Sequence, residues 1–357
     1  MSNTLKPDHD TSVVPHDVEM GSEAQEGRAG SVASSPSGLS RFVRSSLQQV
    51  FVFAALIAVY VFFLVVAPNF GSPNVLTDIL LQSSTIGVLA LGATFVIATG
   101  GIDLSVGTGM TLCAVMAGIF LGADYMNLPM GLGLLLTLLV GAFIGLINGF
   151  NIAILGLPPF IATLAMMMIA RGLALIISKA QSIKIANPDY IALSNGRILP
   201  FVSNAALIFV LLTIVAAVML SKTILGRYSL AIGSNEEATR LSGINVKFWL
   251  ILVYVTAGIF MAMGAVLYSA RFGFVQPAEG LGFELQVIAA VVIGGTSLAG
   301  GRANIIGTLV GALLMNTLNT GLQMMGLAQQ WQLVVVGVVV LIAVFADNVR
   351  RSRAAAV

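Results

Sequence analysis

Histidine, cysteine and charge are scarce in this chain of 357 residues. Its two histidines, His9 and His16, both lie in the leading polar stretch. That excludes an HExxH metal site or a histidine-based triad in the apolar body. The one cysteine, Cys113, falls inside an apolar run and can close no internal disulfide. No Gly-Lys dipeptide occurs, so there is no GxxxxGK(S/T) phosphate loop and no ATP hydrolysis by that route. Charged residues make up 9% of the chain and hydrophobic residues 57%, whereas an ordinary soluble domain is roughly a quarter charged. This is the composition of an all-α polytopic membrane protein. It implies no enzyme activity and no cofactor, and the slightly basic balance gives no reason to propose nucleic acid as a partner.

A membrane span needs roughly 20 apolar residues. The uncharged runs accommodate ten, near 49–67, 79–99, 104–122, 129–149, 158–178, 203–221, 248–268, 285–299, 304–322 and 331–347. With ten spans both termini share a side. That side holds Lys6, Arg28, Arg41, Arg44, Lys222, Arg227, Arg240, Lys247, Arg302, Arg350, Arg351 and Arg353, against Lys179, Lys184, Arg197 and Arg271 on the other. The positive-inside rule makes the first side cytoplasmic. Residues 1–45 read as a disordered acidic cytoplasmic tail, with Asp8, Asp10, Asp17, Glu19, Glu23 and Glu26 among Ser, Gly and Pro. The first apolar run starts too late for a signal peptide. Residues 46–349 are expected to form the transmembrane domain and 350–357 a basic cytoplasmic tail.

Two segments echo each other. Gly100-Gly101-Ile102-Asp103-Leu104-Ser105-Val106-Gly107 and Gly294-Gly295-Thr296-Ser297-Leu298-Ala299-Gly300-Gly301 both read GGxxLxxG, 194 residues apart. At that offset spans one to four overlie spans seven to ten, an internal repeat. Glycine-interrupted segments at matching places in two halves point to a transport pathway between repeats, where a cavity or protein satisfies the freed backbone. Gly100, Gly101, Asp103, Ser105, Gly294, Gly295, Thr296 and Ser297 are the pathway candidates. The same glycines also suit interfacial turns or close helix contacts. Asp103 fits a pathway acid in a broken helix and equally an N-cap for a helix starting at Leu104 or Ser105. Arg171, within span five, either snorkels to the surface or donates hydrogen bonds to the pathway. Glu279 and Glu284 read as loop charges at the outer end of span eight.

The loop 222–247 is a polar island between apolar runs. Ser234-Asn235-Glu236-Glu237 satisfies the capping box, Ser234 accepting from the Glu237 N–H and the Glu237 carboxylate reaching back. Gly243 fits the left-handed position that ends helices. Between them Ala238, Leu241 and Ile244 form a short apolar stripe, while Glu236, Glu237, Thr239 and Arg240 are expected to stay outside. So short a helix is marginal alone and gains stability by docking on a partner, or else packs on the protein's own spans as a connector.

Four segments together resemble the ribose-type sugar permeases of ATP-binding cassette importers. They are ATGGIDLSVG (98–107), TLAMMMIARG (163–172), AIGSNEEATRLSGI (231–244) and VVIGGTSLAGG (291–301), and the likeness runs over about residues 50–350. The long acidic tail departs from that pattern. The resemblance implies a bacterial inner-membrane permease subunit, paired with a like or sibling permease (homodimer or heterodimer) in the lipid membrane. A separate ATPase subunit would drive it and a periplasmic sugar-binding protein would deliver a monosaccharide. It also implies ATPase coupling through Ser234, Asn235, Glu236, Glu237, Ala238, Leu241, Gly243 and Ile244, with the Ala238–Leu241–Ile244 stripe entering a groove on the ATPase and Glu237, Ala238 and Gly243 matching the family's coupling motif. An ion-coupled secondary carrier or channel is the other class the composition allows, although such carriers often use buried acids that are few here. A scaffold protein fits the composition too but leaves the paired glycine motifs without a role.

Overall fold

The computed structural model describes residues 38–199 and 202–355. The chain divides into two units, residues 1–42 and 43–357. Most of the expected acidic tail lies outside the described residues, but its last part does not. Helix α1 runs Gly38–Val66 and so begins inside the stretch expected to be a tail.

The body is built from α2 (Pro73–Ala98), α3 (Val106–Leu121), α4 (Met130–Ala153), α5 (Pro159–Ile177), α6 (Pro188–Asn195), α7 (Asn204–Lys222), α8 (Ile224–Ser234), α9 (Glu236–Leu241), α10 (Val246–Phe272), α11 (Phe283–Ile293), α12 (Ile305–Met324) and α13 (Gln329–Ala355). Two short strands, β1 (Ile183–Lys184) and β2 (Phe274–Val275), pair antiparallel, Ile183 opposite Val275. Six helices, α2, α4, α5, α7, α10 and α12, are long and apolar enough to cross a membrane. Shorter apolar stretches cover Val50–Val66, Val106–Leu121, Phe283–Ile293 and Gln329–Phe345. The run expected as a span over 285–299 leaves the helix after Ile293. Eleven residues reach only about 16 Å, half of a ~30 Å hydrocarbon layer. The basic residues expected as a tail after 349 continue helix α13 as far as Ala355.

Helix α2 is the hub of the fold. From Ser83 to Ala98 it is buried throughout, and it packs on α7, α10, α11 and α12. The tightest pair is α4 with α10. Gly141, Gly145 and Gly149 recur at i, i+4 and i+8 on α4, and a Cβ at any of them would strike the α10 backbone at Gly258, Tyr254 or Ile251. Small residues at this spacing bring membrane helices together where apolar burial provides no drive between them. The other face of α4 is a ladder of exposed Leu135, Leu139, Phe143, Leu146 and Phe150. Such a stripe suits lipid and would be an aggregation surface in water.

The glycine ladder carries a direct test. Gly145→Leu forces a side chain into the Tyr254 carbonyl, and overpacking of this kind costs about 1–3 kcal/mol. The detergent-solubilised protein is expected to unfold at a lower temperature than wild type, while Leu139→Ala on the lipid face leaves it unchanged. Equal melting of Gly145→Leu and wild type would contradict the packing.

Candidate functional site

The polar island is two helices rather than one. Thr223 leaves helical geometry after α7, and its Oγ1 accepts from the Gly226 N–H at 3.4 Å to cap α8. Leu225, Gly226, Ser229 and Ile232 face inward, the spacing of a one-sided amphipathic helix. Tyr228 meets the Trp249 ring of α10 edge-on, centroids 4.8 Å apart. Ser234 therefore ends α8 and does not cap the next helix, contrary to the capping box read from sequence. Asn235 breaks the helix at φ −160°, and its Oδ1 accepts from the Ala238 N–H at 2.9 Å. Because α8 continues through Ser234, the residue free to leave helical geometry is Asn235.

The rest of α9 follows from that cap. Glu236 and Glu237 pair with Arg240 at 2.6 and 3.2 Å instead of reaching back to the cap. These pairs are exposed and of the kind worth little in stability. Thr239, expected outside, is buried and donates its hydroxyl to the Asn235 carbonyl at 2.8 Å. Gly243 is left-handed at φ +82°, its N–H donating to the Arg240 carbonyl at 3.0 Å. Ala238 is exposed, Ile244 half-buried, and Leu241 is 80% exposed. The apolar stripe thus points away from the body.

The base of this segment is joined to both glycine motifs. A Cβ on Gly233, in the last turn of α8, would collide with the Ala98 carbonyl and stand 2.6 Å from the Gly301 N–H nitrogen. Gly301 donates to that same Ala98 carbonyl at 2.9 Å. A Cβ on Gly300 would lie 2.7 Å from the Gly100 nitrogen and 2.8 Å from Gly233. Three chain segments therefore meet backbone to backbone at one point. Helices α2 and α11 end alike there. Gly100 donates to Ile97 and Gly101 to Val96, while Gly295 donates to Val292 and Thr296 to Val291, each a Schellman closure. The left-handed residues are Gly100 and Gly295. The caps correspond one residue out of register with the sequence echo, because the second motif's first glycine, Gly294, takes a right-handed cap position.

Asp103 is not the N-cap of α3, which starts at Val106 with Ser105 at the cap position and no side-chain cap bond; it closes the turn just before the helix. Its Oδ1 accepts from the Ser105 N–H at 2.8 Å and the Ser105 hydroxyl at 2.6 Å, an Asx turn. Ser105 in turn accepts from Asn148 of α4 at 2.9 Å. Thr163 of α5 accepts from the Leu104 N–H at 3.1 Å. The loop is thereby stapled to two helices. In the second motif Thr296 accepts from the Asn304 N–H at 3.1 Å and Ser297 is buried. Asn304 caps α12 and donates to the Gly294 carbonyl at 3.2 Å. Arg171 stands half-exposed on α5, with no ion pair or hydrogen bond among the described residues. It is not brought to the glycine junction.

Two cavities flank this framework. One of about 480 Å³ opens beside the junction, lined by Gly100, Gly101, Pro158, Glu236, Arg240 and Tyr254 among others. The Tyr254 hydroxyl is buried without a hydrogen-bond partner among the described residues. Another, of about 200 Å³, lies at the opposite ends of the helices and is lined by Gln82, Gln286, Asn316 and Asn319 among others. Charge inside the apolar runs does not reveal these amides. Amides within such runs were the available signal. The corrected cap has a measurable consequence. Asn235→Ala is expected to weaken α9 by about 1 kcal/mol, accelerating hydrogen exchange at the Ala238 and Thr239 amides roughly fivefold. Ser234→Ala should leave both rates unchanged, and an effect confined to Ser234→Ala would restore the capping box.

The family described as "Branched-chain amino acid transport system / permease component" matches residues 75–344. The chain is 39% identical over 316 residues to the ribose import permease protein of Escherichia coli (strain K12), covering 87% of this chain and 97% of that one. It is 40% identical over 305 residues to the ribose import permease protein of Bacillus subtilis (strain 168), covering 85% and 93%. The fructose import permease protein of Rhizobium meliloti is 35% identical over 328 residues, covering 89% of each. No solved structure matches. With more than two thirds of its length matched, the chain belongs to the family of transport-system permease components.

Proposed function

We propose that this chain is the membrane-spanning permease subunit of an ATP-driven importer for a monosaccharide, a ribose-like pentose or a hexose. The observation that carries the reading is Leu241, 80% exposed on a short capped helix outside the apolar spans. A large apolar side chain held out by two caps suits a groove on a partner. Because this chain carries no phosphate loop, that partner is the ATPase subunit. The names of the ribose, fructose and galactofuranose permeases support a sugar as the solute. By the Lys and Arg balance α9 faces the cytoplasm of a bacterial cell, with both termini on that side of the inner membrane. A periplasmic binding protein then meets the opposite face, and a second permease subunit completes the pathway.

The mechanism follows from the junction. ATP-driven closure of the ATPase moves α9 through its Ala238–Leu241–Ile244 stripe. Asn235 and Gly243 keep the stripe in one orientation, so the motion passes into α8 rather than dissipating at the loop ends. The last turn of α8 lies against the Ala98 carbonyl and Gly301 with no side chains between. Packed backbone transmits displacement as a rigid contact. The ends of α2 and α11 shift with it, opening or closing the cavity beside Gly100 and Gly101.

Reconstitution with the ATPase in liposomes tests this. Sugar uptake is expected to require ATP, and Leu241→Glu to lower it at least tenfold while insertion stays normal. Gly243→Val places a β-branched residue in the left-handed region at a cost of roughly 1–2 kcal/mol, and should weaken coupling in the same assay. Uptake that proceeds on an ion gradient with no ATPase present would instead establish a secondary carrier.

A further inference from the structure

The cavity at the end opposite α9 has a lining unlike its surroundings. It lies between α2, α10, α11, α12 and α13, all rich in apolar residues, yet its wall carries Gln82, Gln286, Asn316, Asn319 and Gln332. Gln323 and Gln329 stand exposed at its mouth. Asn316 is buried and the other four are half-buried, so their polar tips face the cavity and its water, an arrangement suited to a polar solute.

Internal bonds satisfy these amides only in part. Asn319 donates to the Gln286 carbonyl oxygen at 3.1 Å, Asn316 to the Ala312 carbonyl at 3.0 Å, and Gln332 to the Leu327 carbonyl at 3.0 Å. Each bond uses one N–H. The side-chain carbonyls of Asn316, Asn319 and Gln332 accept no bond among the described residues, and the Gln82 amide makes none at all. An amide tip offers a donor and an acceptor side by side, which is what a hydroxyl group both accepts and donates. Tyr268 and Phe283 add two ring faces, centroids 5.9 Å apart, to the same wall. Apolar rings with a few placed polar groups are the usual make-up of a small-molecule site.

Charge narrows the class of solute. Arg271 is the one cation on the wall, and no carboxylate lines it. A zwitterionic amino acid would need partners of both signs, whereas a neutral polyol needs neither. The volume of about 200 Å³ holds roughly six or seven waters at about 30 Å³ each, the scale of one small sugar. We infer that this cavity is a binding site within the permease for a neutral polyhydroxylated solute of monosaccharide size, recognised by the amides of Gln82, Asn316 and Asn319. The inference rests on the sugar-permease reading and adds to it a site where this subunit itself discriminates among solutes.

The test uses the full-length permease reconstituted with its ATPase and binding protein, with radiolabelled D-ribose, D-fructose and L-leucine as probes. Gln82→Leu and Asn319→Leu remove the amide at nearly constant volume. Each is expected to change the ribose-to-fructose uptake ratio at least fivefold, a change that a merely structural defect would not produce because it lowers both rates together. Gln323→Ala, at the exposed mouth where folding is not at stake, is expected to raise the half-saturating sugar concentration at least threefold. Sugar uptake with unaltered ratio and unaltered half-saturation in all three variants would overturn the site while leaving the importer reading intact. ATP-dependent uptake of leucine in place of both sugars would overturn the sugar reading and the site with it.

Discussion

Everything distinctive in this structure depends on one close approach, the Gly233 backbone against the Ala98 carbonyl and the Gly301 N–H. No residue with a Cβ fits at Gly233, because the carbonyl occupies the space a methyl group would need. The contact joins the last turn of α8 to the end of α2 and to the turn following α11. Helix α2 is also the most buried of the six long apolar helices. Displacement at the junction therefore bears on a helix that packs against α7, α8, α10, α11 and α12.

The two ends of the molecule use polar groups differently. At the junction end, Asp103, Thr163, Thr296 and Asn304 bond backbone N–H and carbonyl groups near the helix ends, and Asn148 donates to the Ser105 hydroxyl. Inside an apolar layer those groups must find partners within the protein, and these side chains provide them. At the other end the amides of α2, α11, α12 and α13 remain in part unengaged. One set holds the framework in shape; the other is left available to a solute. The short α11 fits this division. It ends after Ile293, and the glycine turn that follows carries the chain into the junction.

The sequence made some of this legible and hid the rest for physical reasons. Apolar runs located the long helices, since span length is set by the thickness of the hydrocarbon layer. Gly243 was readable because a left-handed residue after a helix favours glycine whatever surrounds it. Ser234 was misread because cap choice at 234 or 235 depends on whether α8 persists, and α8 persists through contacts of Leu225, Ile232 and Tyr228 with distant residues. Thr239 was placed outside for the same reason. The echo of GGxxLxxG pointed to two related helix ends, but the shift of one residue between their caps appears only in backbone geometry. The meeting of Gly233 with both motifs joins residues more than 60 positions apart, and no local pattern encodes it.

In the proposed mechanism, motion at α9 reaches the spans through the Gly233 contact. The most direct measurement is sugar transported per ATP hydrolysed in the reconstituted complex carrying Gly233→Ala. This account predicts that the variant still binds the ATPase, since α9 and its caps are untouched, while sugar moved per ATP falls at least tenfold. A wild-type ratio in a variant that assembles normally would contradict it.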